Sequence, residues 1–161
     1  QGAIRPVLYR LADRIGARLR AKSLAGRTVT VRVRFADLRS VTRSATLPAP
    51  LSATATLAET AEGLVYDALD DNPGEASISL LAISVSHLEA RPMLQLELPL
   101  GLADALRRPG TRPGGARWAA DRAIDAIRTR FGREAIGYGA VLEEGSGSVP
   151  DAFRELAEKD L

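Results

Sequence analysis

The chain has no cysteine and a single histidine, His87. The first absence excludes a disulfide scaffold and thiolate chemistry, and the second argues against a histidine-based metal site or catalytic triad. Aromatic residues are scarce at 4%. Lysine is nearly missing, with only Lys22 and Lys159 among the 22 cationic residues. That bias is what a GC-rich genome produces. No apolar run approaches the roughly 18 residues that a membrane span needs, and the N-terminus lacks the charged-then-apolar layout of a signal peptide. The chain therefore reads as cytosolic, soluble and unprocessed, with no membrane partner. What is present is ordinary for a globular protein: 161 residues, 45% hydrophobic and 26% charged, enough for one domain or one domain with an appendage.

The formal net charge of +2 hides a segregation along the chain. Residues 1–50 hold eleven Lys and Arg against two Asp and Glu, residues 51–100 hold one against eight, and residues 101–161 hold ten of each. Codon bias does not explain such a partition. Clustered cations attract phosphate and release counterions from it, so the N-terminal third carries the footprint of a polyanion-binding surface.

Residues 5–22 place Leu8, Leu11, Ile15 and Leu19 on one helical stripe and leave Arg10, Arg14, Arg18 and Arg20 for solvent, with Gly26 as the stop. RTVTVRVRF (27–35) alternates with period two, putting Val29, Val31, Val33 and Phe35 on one face and Thr28, Thr30, Arg32 and Arg34 on the other. After a turn around Ala36 to Leu38, residues 39–47 read as the hairpin partner, closed by Pro48 and Pro50. Residues 52–69 form a second helix buried through Leu57, Ala61, Leu64, Val65, Ala68 and Leu69, and DDNPG (70–74) is a turn. Residues 78–88 are a third strand, with Leu81, Ile83, Val85 and His87 on one face and Ala82, Ser84 and Ser86 on the other.

The expected fold is thus α+β, of order α, β, β, α, β: a small antiparallel-containing sheet with two helices on one face, plus a small helical C-terminal tail. One sheet face is left bare and presents Arg, Ser and Thr. By parity Thr42, Ser44 and Thr46 of the second strand join it, with Arg43 beside them, and Ser84 and Ser86 continue it onto the third strand. Short hydroxyls let backbone amides approach phosphate, and arginine adds charge and a fork of donors. Strand alternation alone fits an ordinary solvated pleat equally well.

Beyond residue 90 the chain changes character. RPMLQLELPLG (91–101) is apolar but flanked by prolines, 102–116 is a linker, and 117–131 is a helix with Trp118, Ile124, Ile127 and Phe131 inward, ended by Gly132. Residues 138–142 read as a brief strand, 145–148 as a flexible stretch and 150–159 as a short terminal helix within a tail of 117–161. Asp70, Asp71, Glu143 and Glu144 form no convincing metal cluster and read as solvated surface charge. No catalytic or metal-ligating residue, and no cofactor, is assigned to this span.

The run LADRIGARLR…LAGRTVTVRVRFADLRSVTRSATLP, followed by a helix and LLAISVSHL, resembles the C-terminal little-finger domain of Y-family translesion DNA polymerases, of the actinobacterial DNA polymerase IV type. The resemblance covers Leu8 to Leu100, and the IDAIRTRFGREAIGYGAVL tail is similar to extensions in relatives of that type. It implies a DNA-binding domain over 1–90. The family's little finger normally opens with a further strand ahead of the first helix, and the chain here starts almost at that helix. Either the segment was cut there or the sheet lacks its usual fourth strand.

The resemblance further implies that Thr28, Thr30, Arg32, Arg34, Thr42, Arg43, Ser44, Thr46, Ser84 and Ser86 grip primer-template duplex through its phosphates. It implies that Gln95, Leu96, Leu98, Pro99 and Leu100 form a sliding-clamp-binding peptide. The parent would be an error-prone, nucleoid-associated bacterial polymerase whose Mg2+-binding carboxylates lie upstream, so that this span is itself inactive. The alternatives are a catalytically inactive polymerase-like adaptor of a mutagenesis complex and an RNA-binding α/β module, the latter disfavoured because the sheet lacks paired aromatics for stacking bases.

Overall fold

The computed structural model describes residues 4–74, 77–90 and 112–139. Helix α1 (Ile4–Ala21) leads into strand β1 (Leu24–Phe35), a hairpin to β2 (Ser40–Leu51), helix α2 (Thr54–Asp70), strand β3 (Ile78–Ala90) and helix α3 (Arg112–Phe131). The sheet is antiparallel and open, in the order β2-β1-β3, and both α1 and α2 pack against the same side of it. The expected α+β arrangement is the one observed.

Alternation in β1 produces the core because this strand is central, flanked on both edges. Val29, Val31, Val33 and Phe35 are 0–1% exposed and meet Leu8 and Ala12 of α1 and Leu57, Ala58, Ala61 and Val65 of α2. β2 continues through Pro48 and Pro50 to Leu51 instead of stopping at Leu47. It is an edge strand, where a missing backbone donor costs little, and its register against β1 shifts between Gly26 and Thr28. The hairpin turn spans Ala36–Arg39, with the Phe35 amide donating to the Arg39 carbonyl at 2.9 Å and Leu38 at φ 71°.

Two local readings are corrected. Gly26 does not stop α1; the helix ends at Ala21, Ser23 takes φ 54° and Gly26 already lies inside β1. Its lack of a side chain matters there, since a Cβ would stand 2.2 Å from Cγ1 of Val85. His87 does not share the core face of Leu81, Ile83 and Val85: it adopts φ 52°, is exposed, and sets its Nδ1 2.9 Å from Oγ1 of Thr28. Histidine is among the residues that tolerate this left-handed backbone better than most.

The larger correction concerns α1 and α3. On α1 the buried positions are Pro6, Leu8, Ala12, Gly16, Leu19 and Arg20, while Leu11 and Ile15 are only half-buried. Gly16 sits where a Cβ would meet the Ser52 carbonyl at 3.1 Å and Oγ1 of Thr54 at 3.0 Å, so α1 crosses closely over the β2–α2 connection. Arg20 points inward. Its guanidinium donates to the Ser52 carbonyl at 2.8 Å, to Asp121 at 2.9 Å and to Asp125 at 2.6 and 3.0 Å, and its side chain is 2% exposed.

α3 starts at Arg112, inside the stretch expected to be linker, and docks through charge instead of the expected apolar stripe. Ile127 and Phe131 are 36% and 67% exposed, and Trp118 and Ile124 are half-buried. The positions that meet the body are Arg117, Asp121, Asp125 and Arg128, at spacings of 4, 4 and 3 on one helical face. Arg117 forms a two-pronged pair with Glu59 of α2 at 2.9 Å, and Arg128 bonds both carboxylate oxygens of Asp13 on α1 at 2.8 and 2.9 Å.

Asp121 also accepts the backbone N–H of Thr54 at 2.7 Å. The N-cap of α2, Ala53, has no side chain that can serve, so a carboxylate from another helix satisfies one of the orphan amides and faces the positive end of the dipole. Burial pushes the Asp121 carboxyl up from its ordinary value, while the Thr54 amide and the Arg20 guanidinium pull it back down. The Tyr138 hydroxyl donates to the same carboxylate, and its ring lies 5.8 Å from that of Tyr9. Gly132 at φ 94° ends α3, as its position implied, and residues 138–139 are not in a strand. The expected clamp peptide at 91–101, most of the linker and the elements expected beyond 139 lie outside the described residues.

Candidate nucleic-acid interface

The side of the sheet away from α1 and α2 is built in rows. Because β1 pairs with β2 and β3 in register, each even-numbered β1 residue has one neighbour on either side. The rows read Thr46–Thr28–Ser86, Ser44–Thr30–Ser84, Thr42–Arg32–Ala82 and Ser40–Arg34–Leu80. Two rows are wholly hydroxylic and two are centred on arginine. None of the twelve positions is acidic.

Exposure follows the rows. Thr42, Ser44, Thr46, Ser84, Ser86 and Arg32 are exposed, Thr30 and Arg34 half-buried, and Thr28 is 8% exposed. Thr28 holds the first row together, its Oγ1 2.9 Å from Oγ1 of Thr46 and 2.9 Å from Nδ1 of His87. His87 therefore joins this face, which parity along β3 did not show; the reversal depends on a local backbone twist that residue type alone does not encode. Arg32 and Arg34 reach Oγ of Ser40 at 3.5 Å and Oγ of Ser79 at 3.4 Å, long contacts to hydroxyls, and neither pairs with a carboxylate among the described residues.

Other cations of the N-terminal third are committed elsewhere. Arg43 pairs across to Val31 and so belongs to the helix side of the sheet, where it bonds Asp71 at 2.5 Å; it is not part of the bare face with Thr42 and Ser44. Arg27 lies 3.7 Å from Glu89, and Arg39 bonds Oδ1 of Asn72 at 3.0 Å beside Asp37. The sheet face thus concentrates nine of the ten residues marked from sequence as polyanion-binding, without Arg43 and with His87 added. A flat, hydroxyl-rich surface with two guanidinium groups can accept phosphates by hydrogen bond and charge while offering little that distinguishes one base from another.

Among the described residues no group of three or more His, Cys, Asp or Glu could hold a metal ion, and no helix is long and apolar enough to cross a membrane.

The model of the impB/mucB/samB family C-terminal domain matches residues 1–98. The chain belongs to that family. Its three antiparallel strands and packed helices are the little-finger domain of the Y-family. It is 65% identical over 156 residues to DNA polymerase IV 2 of Mesorhizobium japonicum, covering 97% of this chain and 38% of that protein. It is 37% identical over 105 residues to DNA polymerase IV of Streptomyces coelicolor, covering 65% of this chain and 21% of the relative. A Streptococcus pyogenes DNA polymerase IV is 35% identical over 86 residues, 53% of this chain and 23% of that protein. The chain therefore spans well under half the length of these relatives. Similarity to the Mesorhizobium protein extends past the family domain across the stretch that holds α3, so the ionic docking helix lies within the shared region.

Proposed function

We propose that this chain is the DNA-gripping part of a translesion polymerase, holding primer-template duplex by its phosphates on the bare sheet face and tethering to a replicative sliding clamp through Gln95–Leu100. The observation that carries the first half is the set of four cross-strand rows, which joins hydroxyls on all three strands to Arg32 and Arg34 with no carboxylate among them. The names of its relatives support DNA as the partner. On this reading nucleotidyl transfer and its Mg2+ ions belong to the part of the longer relatives that this chain does not span.

The phosphate reading is tested by fluorescence anisotropy with labelled duplex. Wild-type binding should be weak, insensitive to sequence and steeply weakened by salt. Arg32→Ala with Arg34→Ala should weaken binding uniformly across sequences and flatten the plot of log affinity against log salt by about two, roughly one per lost phosphate contact, with little change in melting temperature. Unchanged affinity or an unchanged salt slope would remove the sheet face from consideration.

A further inference from the structure

We propose that His87 is a further phosphate-binding residue of the sheet face, and that its contact with the backbone of duplex DNA forms with uptake of a proton. The inference rests on the reading of that face as the DNA-binding surface. Parity along β3 would set His87 on the helix side with Leu81, Ile83 and Val85. Instead its backbone turns to φ 52°, a left-handed value inside a strand, and the exposed imidazole comes out beside the Thr46–Thr28–Ser86 row. Backbone strain of this kind gathers at ligand-binding sites, where it delivers a side chain that regular geometry would point elsewhere. None of the twelve positions in the rows is acidic. Arg27, between the paired positions Gly26 and Thr28, lies 3.7 Å from Glu89 of β3 and donates to the Pro48 carbonyl; β2 brings Thr46, and α1 and α2 pack on the other side of the sheet.

Oγ1 of Thr28 lies 2.9 Å from Nδ1 of His87 and 2.9 Å from Oγ1 of Thr46, so one hydroxyl with a single proton stands between two partners. When Nδ1 is bare it accepts from Thr28, Thr28 accepts from Thr46, and the Thr46 proton is used inward. When Nδ1 carries a proton the chain reverses. Nδ1 then donates to Thr28, Thr28 donates to Thr46, and the exposed Thr46 hydroxyl is free to donate outward. Nε2 lies on the far side of the ring from Thr28. Of the imidazole states only the cation carries both Nδ1–H and Nε2–H, so only the cation offers two outward donors, Nε2–H and the Thr46 O–H, together with a positive charge. A phosphodiester oxygen can only accept. Its approach therefore selects the protonated chain.

The test measures binding of labelled duplex to the 161-residue chain by anisotropy from about pH 8 to about pH 5.5, the range in which histidine ordinarily changes charge. Wild-type affinity should rise about tenfold across it, and the plot of log affinity against log salt should steepen by about one. His87→Asn, which also accepts a left-handed backbone, should lose that rise while binding at about pH 8 within about twofold of wild type. Thr46→Val, which removes the outward hydroxyl and keeps the imidazole, should retain a smaller rise. Burial pushes the Asp121 carboxyl up, so acidification reaches the docked α3 as well; any effect of that group persists in His87→Asn and is separated by it. The chain holds one histidine, so its Cε1–H resonance reports protonation directly, and the midpoint of its titration should move to higher pH when unlabelled duplex is added. Arg32→Ala with Arg34→Ala should weaken binding by the same factor at every pH. Binding that the arginine pair weakens but that is flat with pH, a rise that survives in His87→Asn, or an unmoved histidine midpoint overturns the role of His87 and leaves the sheet face standing. Binding that the arginine pair does not weaken overturns both.

Discussion

Arg20 illustrates how much of this structure rests on single side chains. On a helical wheel it belongs to the polar flank of α1, yet it is buried to 8% residue exposure and donates to two carboxylates, a carbonyl and a hydroxyl. Taking a guanidinium out of water is tolerable only where opposite charge and hydrogen bonds replace the lost hydration. Asp121 supplies much of that replacement and also caps α2. Asp121→Ala should therefore cost about 3–5 kcal/mol, the range for stranding a buried charge, with the lost cap included in the effect. Asp121→Asn should cost less, since its amide oxygen can still accept from the Thr54 N–H. Urea unfolding followed by circular dichroism measures both; if alanine and asparagine were equally mild, solvent would have to reach Arg20 freely.

At the scale of elements, what the sequence disclosed depended on which force drives each packing. β1 was legible because a central strand with one buried face must alternate, and Val29, Val31, Val33 and Phe35 do so without interruption. β2 was legible in direction but not in length, because prolines that would end a central strand are harmless on an edge. α3 was legible as a helix but not in its face. Apolar periodicity marked Trp118, Ile124, Ile127 and Phe131, whereas the surface it meets contains a buried arginine and an uncapped helix start and is complemented by charge. The signal was present as Arg117, Asp121, Asp125 and Arg128 at helical spacing, but such a stripe also describes an ordinary solvated flank. Only the partner surface distinguishes the two. Nine residues of the candidate interface were legible because strand parity fixes them; Arg43 was assigned by adjacency instead of parity, and His87 was hidden by its backbone twist.

The docked α3 carries its own expectation. Truncation after Gly101 removes the carboxylates of Asp121 and Asp125 from Arg20, the pair of Arg117 with Glu59 and that of Arg128 with Asp13. The shortened chain should melt well below the full one, by an amount at least equal to that of Asp121→Ala, because it loses the same carboxylate together with further partners. The full chain should unfold in one transition for far-ultraviolet dichroism and Trp118 fluorescence alike. A truncated chain of undiminished stability would mean that α3 is a tethered passenger.

Across the whole molecule, charge is sorted by surface. The twelve sheet-face positions carry two arginines and no acid, the α1 and α3 side carries a larger cationic excess, and α2 contributes Glu59, Glu62, Asp67 and Asp70. In sequence the Gln95–Leu100 peptide lies between Ala90, the last residue of β3, and Arg112, the first of α3. If it is the clamp tether we propose, DNA grip and clamp attachment are separable. Replacing Gln95, Leu98 and Leu100 by alanine should cost several kcal/mol of clamp affinity, since a few anchors dominate short-peptide recognition. Duplex affinity and its salt slope should stay as in wild type, because Arg32, Arg34 and the hydroxyl rows are unchanged. Calorimetry of wild-type and triple-variant chains against purified clamp, run beside the anisotropy titration, measures the two independently. Equal clamp affinity for both chains would place the tether elsewhere, and a joint loss of clamp and DNA binding would show that residues 95–100 support the folded body.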